Sequence, residues 1–128
     1  MSPAAGAPDQ LFDTNILIDH LNGVKQATRE IKAHPGAAIS IVTWIEVMTG
    51  AATPDEETIL RTFLATFPCL PITAAVAERA AENRRVRRIK LPDAIILATA
   101  ETAHRQLVTR NIRDFPKNLH GVRVPYQI

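Results

Sequence analysis

The sequence has 128 residues, of which 46% are hydrophobic and 22% are charged, and its formal net charge is +2. This size and balance predict one globular domain with its own core and exclude an intrinsically disordered chain. No apolar run reaches the roughly 18 residues of a membrane-spanning helix. The single cysteine, Cys69, excludes an internal disulfide framework and most cysteine-based zinc sites. The composition favours a reduced, cytoplasmic protein without a membrane partner.

The first half of the chain predicts two strands and three helices. The opening segment "MSPAAGAPDQ" lacks the features of a signal peptide, so we expect residues 1–10 to form a short flexible leader. "QLFD" predicts a strand that ends at Asp13, and "TNILIDHLNG" a helix that stops near Gly23. "VKQATREIKAHP" has a weaker helical pattern and ends before Pro35. The β-branched segment "AAISIV" predicts a buried strand, and "TWIEVMTGA" a helix that begins at Thr43.

The second half continues the alternation of helices and strands. Pro54 and the three acids after it open a helix, "DEETILRTFLATF", and "CLPI" predicts a short strand. Residues 73–88 predict a long helix rich in alanine and arginine, and "PDAIILATAETAHR" is the most apolar helix of the chain. "QLVT" predicts a strand and "RNIRDFP" a loop. "GVRVPYQI" predicts an edge strand, because Pro125 is unsuited to a central one.

Strands that alternate with helices predict an α/β fold, in which a central, mainly parallel sheet lies between two helical layers. The predicted strands are short and almost continuously apolar, as is typical of strands buried on both faces. In such folds ligands bind beyond the carboxyl ends of the strands. Any reactive residues are therefore expected at that edge.

Four acids fall at this edge in the predicted layout. Asp13 ends the first strand, Glu46 lies in the first turn of the helix after the second strand, Asp93 starts the apolar helix, and Asp114 follows "QLVT". Carboxylates so close together repel one another and raise each other's pKa unless a cation neutralises them. Mg²⁺ and Mn²⁺ prefer carboxylate and water oxygens, and such a site can activate water for phosphate hydrolysis.

Each acid also has a structural interpretation. Asp13 precedes Thr14, a plausible helix cap, and Thr43 with Glu46 fits the T-x-x-E capping box. The negative charge of Asp93 interacts favourably with the helix dipole at a helix start. Asp114, next to Arg113, could stabilise a turn. Capping and metal binding are compatible, since helix starts also help to hold negative charge. Other acids, including Asp19, are expected to be solvated or to start helices.

A basic run, "RRVRRIK", stands just before the apolar helix. Its cations are Arg84, Arg85, Arg87, Arg88 and Lys90. A solvated helix face explains such a run, and a surface that contacts phosphates explains it as well. Taken alone, the run favours the solvated face.

Four segments together resemble the signature blocks of PIN-domain proteins. They are "DTNILID", "TWIEVMTG", "LPDAIILATA" and "LVTRNIRDF", in that order. More narrowly, the chain is similar to the VapC-type toxins of bacterial toxin–antitoxin pairs. The resemblance implies a single PIN domain over residues 11–128, with the three-layer α/β/α sandwich of that family. About ten residues precede the first strand, where many relatives begin almost directly with it.

The resemblance implies roles for individual residues. Asp13 and Asp93 match the principal metal-binding acids, Glu46 completes the site, and Asp114 matches a fourth, more variable acid. Polar residues beside them would hydrogen-bond the carboxylates or the scissile phosphate; they are Thr14, Asn15 and Asn111. The basic run and Arg110 would attract the RNA backbone.

The implied activity is a Mg²⁺- or Mn²⁺-dependent endoribonuclease that cleaves cellular RNA (tRNA, rRNA or mRNA). The implied partners are a cognate VapB-type antitoxin that inserts a peptide into the active-site groove, and a second toxin chain in a homodimer. The resemblance also implies a higher-order complex of toxin and antitoxin on operator DNA. Two alternatives stay open: a non-catalytic nucleic-acid or partner-binding module, and a phosphatase with Asp13 as nucleophile. The phosphatase requires an aspartate where this chain has Asn15.

Overall fold

The computed structural model describes residues 9–111, 113–115 and 119–128, and strands alternate with helices along this part of the chain. The strands are β1 (Gln10–Phe12), β2 (Ile39–Ser40), β3 (Cys69–Leu70), β4 (Gln106–Val108) and β5 (Val122–Arg123). The helices are α1 (Thr14–Leu21), α2 (Lys25–Ala33), α3 (Ile41–Met48), α4 (Pro54–Leu64), α5 (Ala74–Arg87) and α6 (Leu91–Thr102). Of the predicted leader, residues 1–8 lie outside the described residues, and Gln10 already belongs to β1.

Every pair of described strands is parallel. β1 pairs with β4, β4 with β5, and β2 with β3. A bridge between Leu11 and Ala38 joins the β2–β3 pair to β1, and the amide of Phe12 donates to the carbonyl oxygen of Ala38 at 3.0 Å. The strands therefore follow one another in the order β3-β2-β1-β4-β5. β5 lies at an edge, as predicted, and Pro125 comes just after it.

Helices cover both faces of the sheet, which confirms the predicted three layers. Successive strand residues point to opposite faces. Leu11 and Leu107 pack in one core with residues of α5 and α6, whereas Phe12 and Val108 pack in a second core with residues of α1, α2, α3 and α4. Among the described helices none has the length and apolarity to cross a membrane.

The boundary between β2 and α3 differs from the prediction. The strand ends at Ser40 rather than Val42, and the helix begins at Ile41 rather than Thr43. Ser40 is the N-cap, and its hydroxyl accepts a hydrogen bond from the amide of Val42 at 3.0 Å. The run of β-branched residues favours a strand, but the serine cap starts the helix within that run.

Helix α6 begins where the sequence predicts and is the most buried helix. Pro92 lies in its first turn, where the missing amide hydrogen costs nothing. The helix ends at Thr102, three residues before the end of the predicted segment, and His104 follows with a positive φ of 55°. A residue in the left-handed region is a common way to end a helix. Asp93 therefore lies in the first turn of a largely buried helix.

Candidate functional site

The carboxyl ends of β1 and β4 form one edge of the sheet. Asp13 directly follows β1, and its amide donates to the carbonyl oxygen of Val108, the last residue of β4, at 2.9 Å. Asp114 lies in the segment after β4, and Asp93 is the third residue of α6. The charges of Asp13, Glu46 and Asp114 all act on Asp93. The structure therefore brings the four acids together at the predicted edge.

Asp13 is buried, with 4% of its surface exposed. Its Oδ1 accepts the amide of Thr14 at 2.8 Å, so Asp13 itself caps α1. Its Oδ2 accepts Nδ2 of Asn15 at 3.1 Å and the hydroxyl of Thr109 at 2.7 Å. The pKa of Asp13 is raised to about 6, mainly by burial. The hydrogen bonds from Thr109 and Thr14 act against this rise, and the charges of Glu46 and Asp114 add to it. Asp13 is held rigidly but carries its charge at an energetic cost.

Asp93 is partly buried, and its carboxyl group shares a hydrogen bond with that of Asp114. Burial is the main reason that the pKa of Asp93 rises to about 7. The charges of Asp13 and Asp114, the shared hydrogen bond, and the charge of Glu46 contribute to the same rise. Near neutral pH Asp93 therefore exchanges a proton with its surroundings.

Glu46 lies in the second turn of α3, not in the first turn as predicted, because α3 starts two residues earlier. Its Oε1 accepts the hydroxyl of Thr14 at 2.6 Å. The predicted capping box is wrong, since Thr43 lies inside the helix, buried, with its hydroxyl 3.0 Å from that of Thr14. The capping explanation of Glu46 is thereby removed, and Thr14 connects this acid to the start of α1.

Asn111 organises the segment that carries Asp114. Its Nδ2 donates to Oδ2 of Asp114 at 2.7 Å. Its Oδ1 accepts the amides of Arg113 at 3.2 Å and of Asp114 at 3.3 Å. The turn is thus stabilised by the asparagine, and the arginine contributes its backbone.

Thr109 is a site residue that the sequence analysis missed. It is fully buried, directly after β4. Its hydroxyl donates to Asp13 and lies 3.1 Å from Nδ2 of Asn15, and it accepts the amide of Asn111 at 3.0 Å. It connects the residues after β1 with those after β4. A polar residue at the end of a buried parallel strand is the signal that could have revealed it.

Asp19 also differs from the prediction, because it is buried rather than solvated, with 4% of its surface exposed. It forms an ion pair with Nε of Arg110, and its Oδ1 accepts a hydrogen bond from Nη2 of the same guanidinium at 2.9 Å. The hydroxyl of Tyr126 donates to it at 2.9 Å. The amide of Arg110 donates to Oδ1 of Asn15 at 3.3 Å, which connects this cluster to Asp13. Arg110, predicted to attract RNA, thus directs its guanidinium to Asp19.

Two clefts flank the acids. The first, about 470 Å³, is lined by residues of the basic run, by Asp114 and by apolar residues around Phe115. The second, also about 470 Å³, lies beside Asn15 and Asn111 and reaches the chain end at Ile128. All five cations of the basic run are exposed, and Arg87, Arg88 and Lys90 line the first cleft. The run therefore lies next to the acids.

The donor chemistry of the site fits a hard divalent cation. Four carboxylates supply the oxygen ligands that Mg²⁺ and Mn²⁺ prefer. Burial is the main cause of the raised pKa values of Asp13 and Asp93, and the charges of the neighbouring acids contribute to both. Among the side chains that the structure describes, no three of the His, Cys, Asp or Glu type form a group that could hold an ion as positioned. Coordination by three acids therefore requires side-chain movement.

Comparisons with known proteins agree with this architecture. The family model of the PIN domain matches residues 11–118. Ribonuclease VapC10 from Mycobacterium tuberculosis is 37% identical over 114 residues, which cover 83% of this chain and 85% of that protein. The residues that match the family model include all four acids of the site.

Solved structures match over nearly the whole chain. A chain of a toxin–antitoxin complex from Klebsiella pneumoniae is 45% identical, with a TM-score of 0.88, and covers 94% of this chain and 100% of its own length. FitAcB from Neisseria gonorrhoeae is 21% identical, with a TM-score of 0.78 and coverage of 93% and 99%. DNA-bound VapBC from Salmonella typhimurium is 19% identical, with a TM-score of 0.76 and coverage of 91% and 96%. The last two show likeness of fold alone.

Proposed function

The chain belongs to the PIN-domain family, and from this membership we propose that it is an endoribonuclease toxin of a VapBC-type toxin–antitoxin pair. The observation that carries the proposal is the convergence of four acids at one sheet edge, in a chain 37% identical to a ribonuclease. The substrate is cellular RNA: tRNA, rRNA or mRNA. The partner is a VapB-type antitoxin.

The cofactor in this proposal is Mg²⁺ or Mn²⁺. Its ligands would come from four acids: Asp13, Glu46, Asp93 and Asp114. When bound, the ion would lower the pKa of a water molecule and neutralise charge that develops on phosphate oxygens. Burial is the main cause of the raised pKa values of Asp13 and Asp93, and a bound cation would relieve the part that comes from the charges of the neighbouring acids.

The chain's own residues position the acids and hold a proton. Thr14, Asn15 and Thr109 fix both oxygens of Asp13, so this carboxylate keeps one orientation. Asp93 has a pKa of about 7, so near neutral pH its ionised form is present and can take up a proton from a water molecule. Glu46 is exposed and held by Thr14 at the mouth of the site.

RNA would cross the site along the basic run. Cations at the edge of the first cleft would contact backbone phosphates, and the resulting affinity would fall as salt is added. Specificity would come from RNA shape and from a short exposed sequence, as is usual for proteins that recognise single-stranded regions.

Assembly and location complete the proposal. The similar chain from Klebsiella pneumoniae belongs to a toxin–antitoxin complex, which supports an antitoxin partner. We expect a homodimer in the cytoplasm that forms a larger complex with antitoxin on operator DNA.

Substitution of Asp93 tests the proposal directly. Asp93→Asn keeps the size of the side chain but removes a charge at the site, so we expect at least a 100-fold loss of cleavage, on the order of 3 kcal/mol of transition-state stabilisation. The assay follows cleavage of total bacterial RNA with Mg²⁺, with Mn²⁺ and with a chelator. Asp55→Asn is the matched control, because Asp55 is exposed in the first turn of α4.

Expression in a bacterium, with and without the neighbouring small gene, extends the test to cells. The parent chain alone should arrest growth, the Asp93→Asn variant should not, and cleavage sites mapped in cellular RNA should identify the target. Undiminished cleavage by Asp93→Asn, or growth arrest by that variant, would favour the non-catalytic module. A phosphorylated Asp13 would favour the phosphatase.

A further inference from the structure

The two clefts beside the acids share one residue, Arg113. It lines the first cleft together with Asp114 and the end of the basic run. It also lines the second cleft together with Asn15, Asn111 and Gln127. Each cleft has a volume of about 470 Å³, within the range of about 300–1,000 Å³ that is usual for ligand sites. The exposed side chain of Arg113 therefore lies where the two clefts meet.

The meeting point of the clefts lies at the acids. Asn111 hydrogen-bonds Asp114, and Asn15 hydrogen-bonds Asp13. A linear polymer cut at these acids must continue on both sides of the cut. The first cleft offers phosphate-binding cations, and the second is lined by Gln127, whose amide group can hydrogen-bond a base or a sugar.

Arg113 differs from Arg110, the other arginine of the second cleft. The guanidinium of Arg110 is bound to the buried carboxylate of Asp19. In the turn, Arg113 contributes its backbone amide, which donates to Oδ1 of Asn111. Replacing the Arg113 side chain therefore leaves this turn contact in place.

We propose that Arg113 contacts the phosphate at the junction of two RNA subsites, and that the second cleft, lined in part by Gln127, holds the nucleotide on the far side of the cut from the basic run. This inference rests on the proposed ribonuclease function and adds the path of the RNA across the site. Guanidinium groups bind phosphate through paired hydrogen bonds, which suits a side chain at such a junction.

Binding of a fluorescein-labelled single-stranded RNA of mixed sequence tests the proposal. All variants are made in the Asp93→Asn chain, so that the probe stays intact, and affinity is measured by fluorescence anisotropy over a series of salt concentrations. We expect Arg113→Ala to weaken binding about 10-fold and to lower the slope of log affinity against log salt by about one. Arg113→Lys should recover part of the affinity and the whole slope.

Gln127→Ala tests the second cleft separately. Because glutamine is uncharged, we expect affinity about 3-fold weaker with an unchanged salt slope. Arg29→Ala is the control, since Arg29 is exposed on α2 and is not among the residues that line either cleft. It should change affinity less than 2-fold.

Three results would overturn the inference. One is an Arg113→Ala chain that binds the probe as tightly as its parent. Another is an equal loss in Arg29→Ala, which would indicate a general charge effect. The third is unchanged RNA binding with weaker capture of the co-expressed antitoxin, which would assign the clefts to the antitoxin peptide. Failure of the unsubstituted chain, with Asp93 in place, to cleave RNA would instead reject the ribonuclease function itself.

Discussion

At the scale of the residue, burial and repulsion decide how the acids carry charge. The pKa values of about 6 for Asp13 and about 7 for Asp93 lie above the usual 3.8. Below about pH 4 both residues are protonated in the folded and the unfolded chain. As the pH rises from there, the unfolded chain releases its protons first, so the folded chain loses relative stability until the pH passes about 7.

Asp93→Asn should therefore stabilise the metal-free protein at neutral pH. An asparagine carries no charge to bury and can donate a hydrogen bond to Asp114 without a shared proton. After allowance for solvent screening of this half-exposed group, we expect a gain on the order of 1 kcal/mol at pH 7.5 and almost none at pH 4. Urea unfolding in the presence of a chelator measures both values.

The Asp55→Asn variant supplies the comparison for that measurement. Asp55 is exposed and starts a helix, so its replacement should bring no gain at either pH. A variant at Asp93 that is less stable than its parent at pH 7.5 would show that the acids do not repel one another as described.

The sequence predicts the four acids better than the residues that support them. Acids after strands are visible in the printed sequence, because parallel strands bring their carboxyl ends to one edge. Thr109 also follows a strand, but its partner Asp13 cannot be read from that position, and Asp19 lies inside α1. Their roles depend on hydrogen bonds to residues more than 90 positions away in the sequence, and local patterns carry no information about such partners.

At the scale of the element, the start of α3 shows how a single cap overrides a propensity. The β-branched residues predict a strand that continues through Val42. In the structure the helix begins directly after Ser40. The consequence reaches the site, because the earlier start turns Thr43 inward and carries Glu46 into the second turn. By contrast, helices α4 and α5 follow their predicted starts, with Thr53 and Thr73 as caps.

Ser40→Ala tests the cap. The variant loses the acceptor for the amide of Val42 in a fully buried position, so we expect a loss of about 1–2 kcal/mol of unfolding free energy. Thr62→Ala is the control, because Thr62 is exposed within α4, and its replacement should change stability by less than about 0.5 kcal/mol. Equal stability of the two variants in urea would contradict the cap.

At the scale of the whole molecule, the strand order explains where the site lies. The chain builds the sheet from β1 outward through β2 to β3, then returns to the other side of β1 with β4 and β5. The direction of winding reverses between β1 and β4, and in open parallel sheets this reversal leaves a crevice at the carboxyl edge. Asp13 lies on one side of it and Asp114 on the other.

The same reversal brings the end of the chain against its beginning. Tyr126, after the last strand, and Arg110, after β4, both bind Asp19 of α1. Asp19→Asn leaves the guanidinium without its counter-charge, so we expect a loss of about 2 kcal/mol or more of unfolding free energy. Tyr126→Phe removes one neutral donor and should cost about 1 kcal/mol. Urea unfolding of both variants measures these losses. An Asp19→Asn variant as stable as its parent would contradict the ranking.

The way in which Thr109 holds Asp13 has a consequence for protein synthesis. Asp13 emerges from the ribosome 96 residues before Thr109, and Asp114 follows later still. A nascent chain therefore cannot complete the acid cluster until it has been synthesised through β4 and the segment that carries Asp114. Whatever chemistry the cluster performs is withheld until then.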